Sequence, residues 1–177
     1  MQRQQQVGAS LIEVLVAMLL LSLGMLALGA MLSFAVQMPK LSSYRANAVN
    51  LASGYIERMR ANPKGFGNGD YDLSSSYDGS QTILKSSICA YPDCNSSSLA
   101  AMDFDETKMA VRTELPAGGI YMLSDSSSGA VGTGNLWIMW NEPNTNAALD
   151  PSSSDNCPSA VADSDPKPRC LYVRFKI

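Results

Sequence analysis

The chain has 177 residues, a formal net charge of −3 and no histidine. That length suits one domain plus an attached element. The absent histidine excludes Ser-His-Asp, Cys-His and His-metal chemistry, and the acidic balance, with no basic stripe interleaved with aromatics, excludes a nucleic-acid surface.

The 46% hydrophobic content is unevenly spread. Residues 14 to 39 carry no charged side chain, and the chain downstream is polar and rich in Ser, Gly, Asn and Asp. From Val14 to Val36 only Ser22, Ser33, Gly24 and Gly29 interrupt the apolar run. A helix of ~20 apolar residues crosses a bilayer, so this run is expected to span a membrane. The polar remainder has too little apolar surface to wrap such a helix as a buried core. Glu13 stands at its head, an acid without a neighbouring Lys or Arg. Placing an acid at a bilayer centre costs ~2.5 kcal/mol or more, so Glu13 needs a partner. A secretory signal peptide would carry positive charge there and a shorter apolar run.

The string Gly8-Ala9-Ser10-Leu11-Ile12-Glu13-Val14-Leu15-Val16-Ala17 resembles the class III signal of type IV prepilins. That signal is a short polar leader ending in Gly, then a hydrophobic stretch with Glu as its fifth residue. The resemblance implies that a prepilin peptidase cuts between Gly8 and Ala9 and N-methylates Ala9. Residues 1–8 are then a leader, and loss of Arg3 takes the net charge from −3 to −4, with 12 basic against 16 acidic residues. It also implies a docking role for Glu13, against the N-terminal amine of a neighbouring subunit. Gly24, Ala27, Gly29 and Ala30 are small enough to let helices approach closely.

Past the apolar run (residues 9–38), helical spacing continues over 39–62, with Tyr44, Ala48, Leu51, Tyr55 and Met59 on one stripe. Pro39 should kink the helix or loosen a turn, and Asn62-Pro63 should end it. The expected helix is about 50 residues, ~80 Å long at 1.5 Å per residue. Residues 63–177 form the head. Loops are expected over 63–98. Asn68, Asp70 and Asp72 alternate like the front of a calcium loop, but no downstream glutamate completes it, so turn chemistry explains them better. Residues 99–115 predict a short helix with an acidic first turn, in which Asp103, Asp105 and Glu106 read as a solvated end; nothing selects two of these or Glu114 as a catalytic pair. Strands are expected over 120–123, 136–140 and 171–177, forming an antiparallel sheet on the helix.

The four cysteines fit an oxidising compartment. They allow three full pairings; Cys89–Cys94 and Cys157–Cys170 are favoured because local loops close most easily. Zinc is disfavoured by their spacing, and no other metal or cofactor is expected.

The string Glu57-Arg58-Met59-Arg60-Ala61-Asn62-Pro63 resembles a motif of PilV-type minor pilins, as do Leu115-Pro116-Ala117-Gly118-Gly119 and the strands ending at Trp140 and starting at Cys170. A bland reading also serves, since Arg58 and Arg60 suit the negative end of a helix. The family resemblance implies an α+β, type IV pilin-like fold and a non-enzymatic role in priming pilus assembly, and hence in adhesion and twitching motility. It implies prepilin peptidase, other minor pilins, the major pilin and the inner-membrane assembly platform as partners. The location implied is the bacterial inner membrane, single-pass with a periplasmic head, then the pilus. A minor pseudopilin of a type II secretion system shares the N-terminal logic. A membrane-anchored periplasmic protein, cut after Ala35 or uncut, is the reading from another class.

Overall fold

The computed structural model describes residues 10–80, 89–90, 92–125, 132–142 and 155–177. Helix α1 runs from Leu11 to Ala61, 51 residues unbroken through Pro39. Two units divide the chain, Met1–Ser42 and Ser43–Ile177.

In the second unit, α1 turns amphipathic. Ala48, Ala52, Tyr55, Ile56 and Met59 are buried, at the three- and four-residue steps that put side chains on one helical face. Tyr44 and Leu51 pack at the margin of this core, so the stripe is centred slightly off the one the sequence predicts.

Residues 63–98 are not all loop. Asn62 caps a short helix α2, Pro63–Gly67, by accepting from the Gly65 amide at 3.2 Å, and Pro63 takes the first position, where its missing N–H costs nothing. Helix α3 spans Ser96–Glu114, opening three residues before the expected start. Asn95 and Ser98 form a reciprocal capping box, each side chain accepting from the other's amide, at 2.8 and 3.0 Å. Two orphan amides are thereby satisfied. The first turn therefore holds no acid, and Asp103 falls in mid-helix.

That shift overturns the solvated reading of Asp103, which is 5% exposed. Its Oδ2 accepts from the Tyr71 hydroxyl at 2.7 Å, and its Oδ1 from Arg58 at 3.2 Å. Arg58 also reaches Glu106 at 2.5 Å. The Asn62 side-chain amide donates to the Tyr71 oxygen at 3.2 Å and to the Ser96 carbonyl at 2.8 Å. One connected polar network thus ties the end of α1 to α2, the following loop and α3. Arg58 titrates above its ordinary value: partial burial works the other way but is outweighed by its bonds to Glu106 and Asp103. Burial holds the Tyr55 and Tyr71 phenols well above the ordinary range, with Asp103 adding to it at both.

The loop after α2 is stitched down similarly. Asp72 accepts from the Ser124 amide and hydroxyl, the turn role expected of it. Buried Arg112 reaches the Ser76 carbonyl and Asp78, both at 2.9 Å. For Asp78, slight burial acts upward, but bonds from Ser80 and Arg112 outweigh it and lower the pKa.

Strands β1 (Gly119–Ser124), β2 (Thr133–Trp140) and β3 (Arg169–Lys176) form an antiparallel sheet in the order β1-β2-β3. Gly118 admits the turn into β1, because a Cβ there would strike the Val111 carbonyl. On the inner face Ile120, Met122, Leu136, Ile138 and Phe175 join the buried residues of α1 and α3. The strand period of two sends Tyr121, Trp137 and Tyr172 to the other face. They are register partners, with ring centroids 5.3 and 5.1 Å apart. A second apolar cluster around Met139 and Val161 lies on that side. Cys157 is bonded to Cys170, and Cys89 to Cys94, with Cα separations of 5.3 and 5.1 Å. The longer loop gains about 3 kcal/mol by the chain-entropy account.

Removing Arg58 leaves Asp103 buried with one of its donors gone. Arg58→Met is expected to cost about 1–3 kcal/mol in denaturant melts, and Asp103→Asn a similar amount. The double variant should cost less than the sum, because each single change already breaks the pair. Because the fold favours neutral Tyr55 and Tyr71, their contribution to stability is full below about pH 10, the ordinary tyrosine value. It falls as pH rises beyond that, since only the unfolded chain gains from ionising. In an ultraviolet titration of the seven tyrosines, these two should ionise only as the head unfolds.

Candidate assembly surface

The described residues of the first unit present exposed apolar side chains. Every residue from Ser10 to Lys40 is exposed, including Leu11 at 78% and Leu26 at 72%. The most apolar 18-residue window has a mean hydropathy of 2.6, and none of it is buried. α1 is therefore long and apolar enough to cross a membrane, by length and composition. An apolar surface this continuous is not left to water.

Glu13 lies in the first turn of α1, where a carboxylate faces the positive end of the helix dipole. Its amide donates to the Ser10 carbonyl at 2.9 Å. Gly8 and Ala9, the expected cleavage pair, lie outside the described residues. At about 100° per residue, Glu13, Gly24, Ala27 and Ala30 share a face within an arc of about 120°. Gly29 falls on nearly the opposite side, so the small residues are not one set. Around Gly24 and Gly29 a Cβ would meet nothing within 4 Å, so neither glycine is required by a contact with a described residue.

Five residues of the head that the sequence reading did not treat as a set act as one: Arg58, Asn62, Tyr71, Asp103 and Glu106. The available signal was spacing. Arg58 and Asn62 are one helical turn apart, and so, nearly, are Asp103 and Glu106. Opposite charges at matching turns of two helices are what an interhelical pair requires. Among the described residues no group of three or more Cys, Asp or Glu side chains is placed to hold a metal ion.

Residues 30–105 match a family model described as Tt1218-like, type IV pilin Tt1218. No curated protein and no solved structure matches the chain. The matched stretch takes in the end of the apolar run, all of α1 within the head, α2 and the first half of α3. It therefore includes Arg58, Asn62, Tyr71 and Asp103.

Since the core within the head uses only the later part of α1, a fragment of residues 43–177 should remain folded without detergent. A cooperative thermal transition by circular dichroism is the expected result; a molten, non-cooperative loss of signal would show that the head needs the apolar half. With its apolar N-terminal helix and three-stranded antiparallel sheet, the chain has a type IV pilin-like α+β fold, and over residues 30–105 it is similar to the Tt1218-like pilin family.

Proposed function

We propose that this chain is a minor pilin of a type IV pilus, PilV-like, which helps to prime assembly through contacts with other pilins. The observation that carries the reading is the fully exposed apolar half of α1 with one acid in its first turn. Such a helix serves first as a membrane anchor and then as a filament-core strut. The match over residues 30–105 to a type IV pilin family supports the same role.

In this reading the peptidase releases residues 1–8 and leaves a methylated amine on Ala9. Glu13 then meets the N-terminal amine of a neighbouring subunit. A buried pair of this kind gives little net stability, but losing one member leaves an uncompensated charge at a cost of about 3–5 kcal/mol. Its use is to fix the register of one helix on the next. Gly24, Ala27 and Ala30, on the face of Glu13, would let the neighbouring helix come close. The head stays in the periplasm, where both disulfides persist, and the work is done by binding rather than catalysis.

The N-terminal sequence and intact mass, from strains with and without prepilin peptidase, test the reading. The expected mature start is N-methyl-Ala9, seen only with the peptidase. An uncut Met1 or a start at Val36 in both strains would defeat it. Glu13→Val should still be cleaved, yet be depleted about tenfold or more from sheared filaments, the consequence of an unpaired buried amine.

A further inference from the structure

Helix α3 is entered through the string Asp93-Cys94-Asn95-Ser96-Ser97-Ser98. The capping box accounts for part of it. Asn95 Oδ1 accepts from the Ser98 amide and from the Ser98 hydroxyl, both at 2.8 Å, and the Ser98 hydroxyl accepts from the Asn95 amide at 3.0 Å. Capping leaves three polar groups without a use: Asn95 Nδ2, the Ser97 hydroxyl and the Asp93 carboxylate. All three residues are exposed. Among the described residues none of these groups makes a hydrogen bond or an ion pair.

The same three groups stand at the positions of a glycosylation signal. Asn-x-Ser, with x other than proline, is the acceptor for N-linked sugar in exported proteins. Asn95-Ser96-Ser97 is the one such triplet in the 177 residues. An acid two residues ahead of the acceptor, where Asp93 stands, marks the bacterial form of the signal. The compartment agrees. Cys94 lies between Asp93 and Asn95 and is bonded to Cys89, so this stretch is oxidised, as exported chains are. The backbone agrees too. Ser96 and Ser97 open α3, and helix ends fray, which lets an enzyme draw the triplet into its groove.

We propose that Asn95 is an N-glycosylation site. The donor is an oligosaccharide joined through a diphosphate to a membrane lipid, and the catalyst is a transferase of the same membrane. Asn95 Nδ2 forms a bond to the anomeric carbon of the first sugar. The bond from that carbon to the diphosphate oxygen breaks, the lipid diphosphate leaves with the electron pair, and one amide proton passes to a base of the transferase. The Ser97 hydroxyl and the Asp93 carboxylate are the groups the transferase reads. Nδ2 keeps one N–H and Oδ1 is untouched, so the modified side chain still caps α3. This goes beyond the assembly reading and takes from it only that the head is exported.

Peptide mapping by electron-transfer mass spectrometry, on the full chain extracted from membranes of its own host, tests it. The peptide carrying Asn95 should bear a sugar chain on that residue. Asn95→Asp should abolish the sugar and leave thermal unfolding unchanged, since aspartate caps as well as asparagine. Ser97→Ala should abolish it, Ser97→Thr should keep it, and Asp93→Asn should reduce it. Ser98→Ala should lower the melting temperature through loss of the capping box yet retain the sugar. The proposal falls if Asn95 is recovered only unmodified, if the sugar sits on Ser96, Ser97 or Ser98 instead, or if it survives Ser97→Ala. The mature N-terminus read from the same sample separates the two readings. Sugar on Asn95 with an uncut Met1 would defeat the assembly reading alone, and N-methyl-Ala9 with a bare Asn95 would defeat this one alone.

Discussion

The buried carboxylate of Asp103 is the constraint around which the head is arranged. A charged group 5% exposed is tolerable only when its lone pairs are satisfied. Tyr71 and Arg58 satisfy them at 2.7 and 3.2 Å. Each donor must then be held in place. Asn62 holds Tyr71, and in the same stroke caps α2 and grips the start of α3 through Ser96. Moving any one of these elements by an ångström breaks several bonds in a low-dielectric setting, where each costs more than it would at the surface. Apolar contact alone would let α3 slide along α1; the network fixes its position.

α1 answers two different solvents. Its first part is apolar all round, which suits surroundings that are themselves apolar. Its last part is apolar on one side only, which suits a sheet on that side and water on the other. The change comes just past Pro39 and Lys40, where charged residues first reappear. The helix continues because neither part requires a break in the backbone bonds, apart from the one that proline cannot donate.

Elements with strong periodicity were legible from the sequence: the long helix, three strands at nearly the right bounds, and the side of α1 that is buried. The apolar run was plain by composition alone. Less legible was anything set by a contact across the chain. Asp103, read among Asp105 and Glu106, looks like one more surface acid. Its burial depends on Tyr71, 32 residues away, and no local pattern encodes that distance. The bounds of α3 were missed for a different reason: serines 96 to 98 look like more of the preceding loop, and only the reciprocal geometry of Asn95 and Ser98 turns them into a helix start. Arg58 and Asn62 were visible as part of a motif, but their partners were not.

The same logic orders the string Glu57 to Pro63 physically. Met59 is fully buried in the core and Arg58 reaches α3, while Arg60 turns outward to Glu57 at 2.6 Å. Asn62 ends one helix and begins the next, and Pro63 fixes the entry to that second helix. Seven consecutive residues thus serve the core, the interhelical charge pair, the helix end and the chain reversal. Substituting any of the four inward-acting ones disturbs a different class of interaction, so a change that compensates one does not repair another. A segment so constrained is expected to keep its composition even where the serine-rich loops around it drift, and the stretch that matches the pilin family includes all of it.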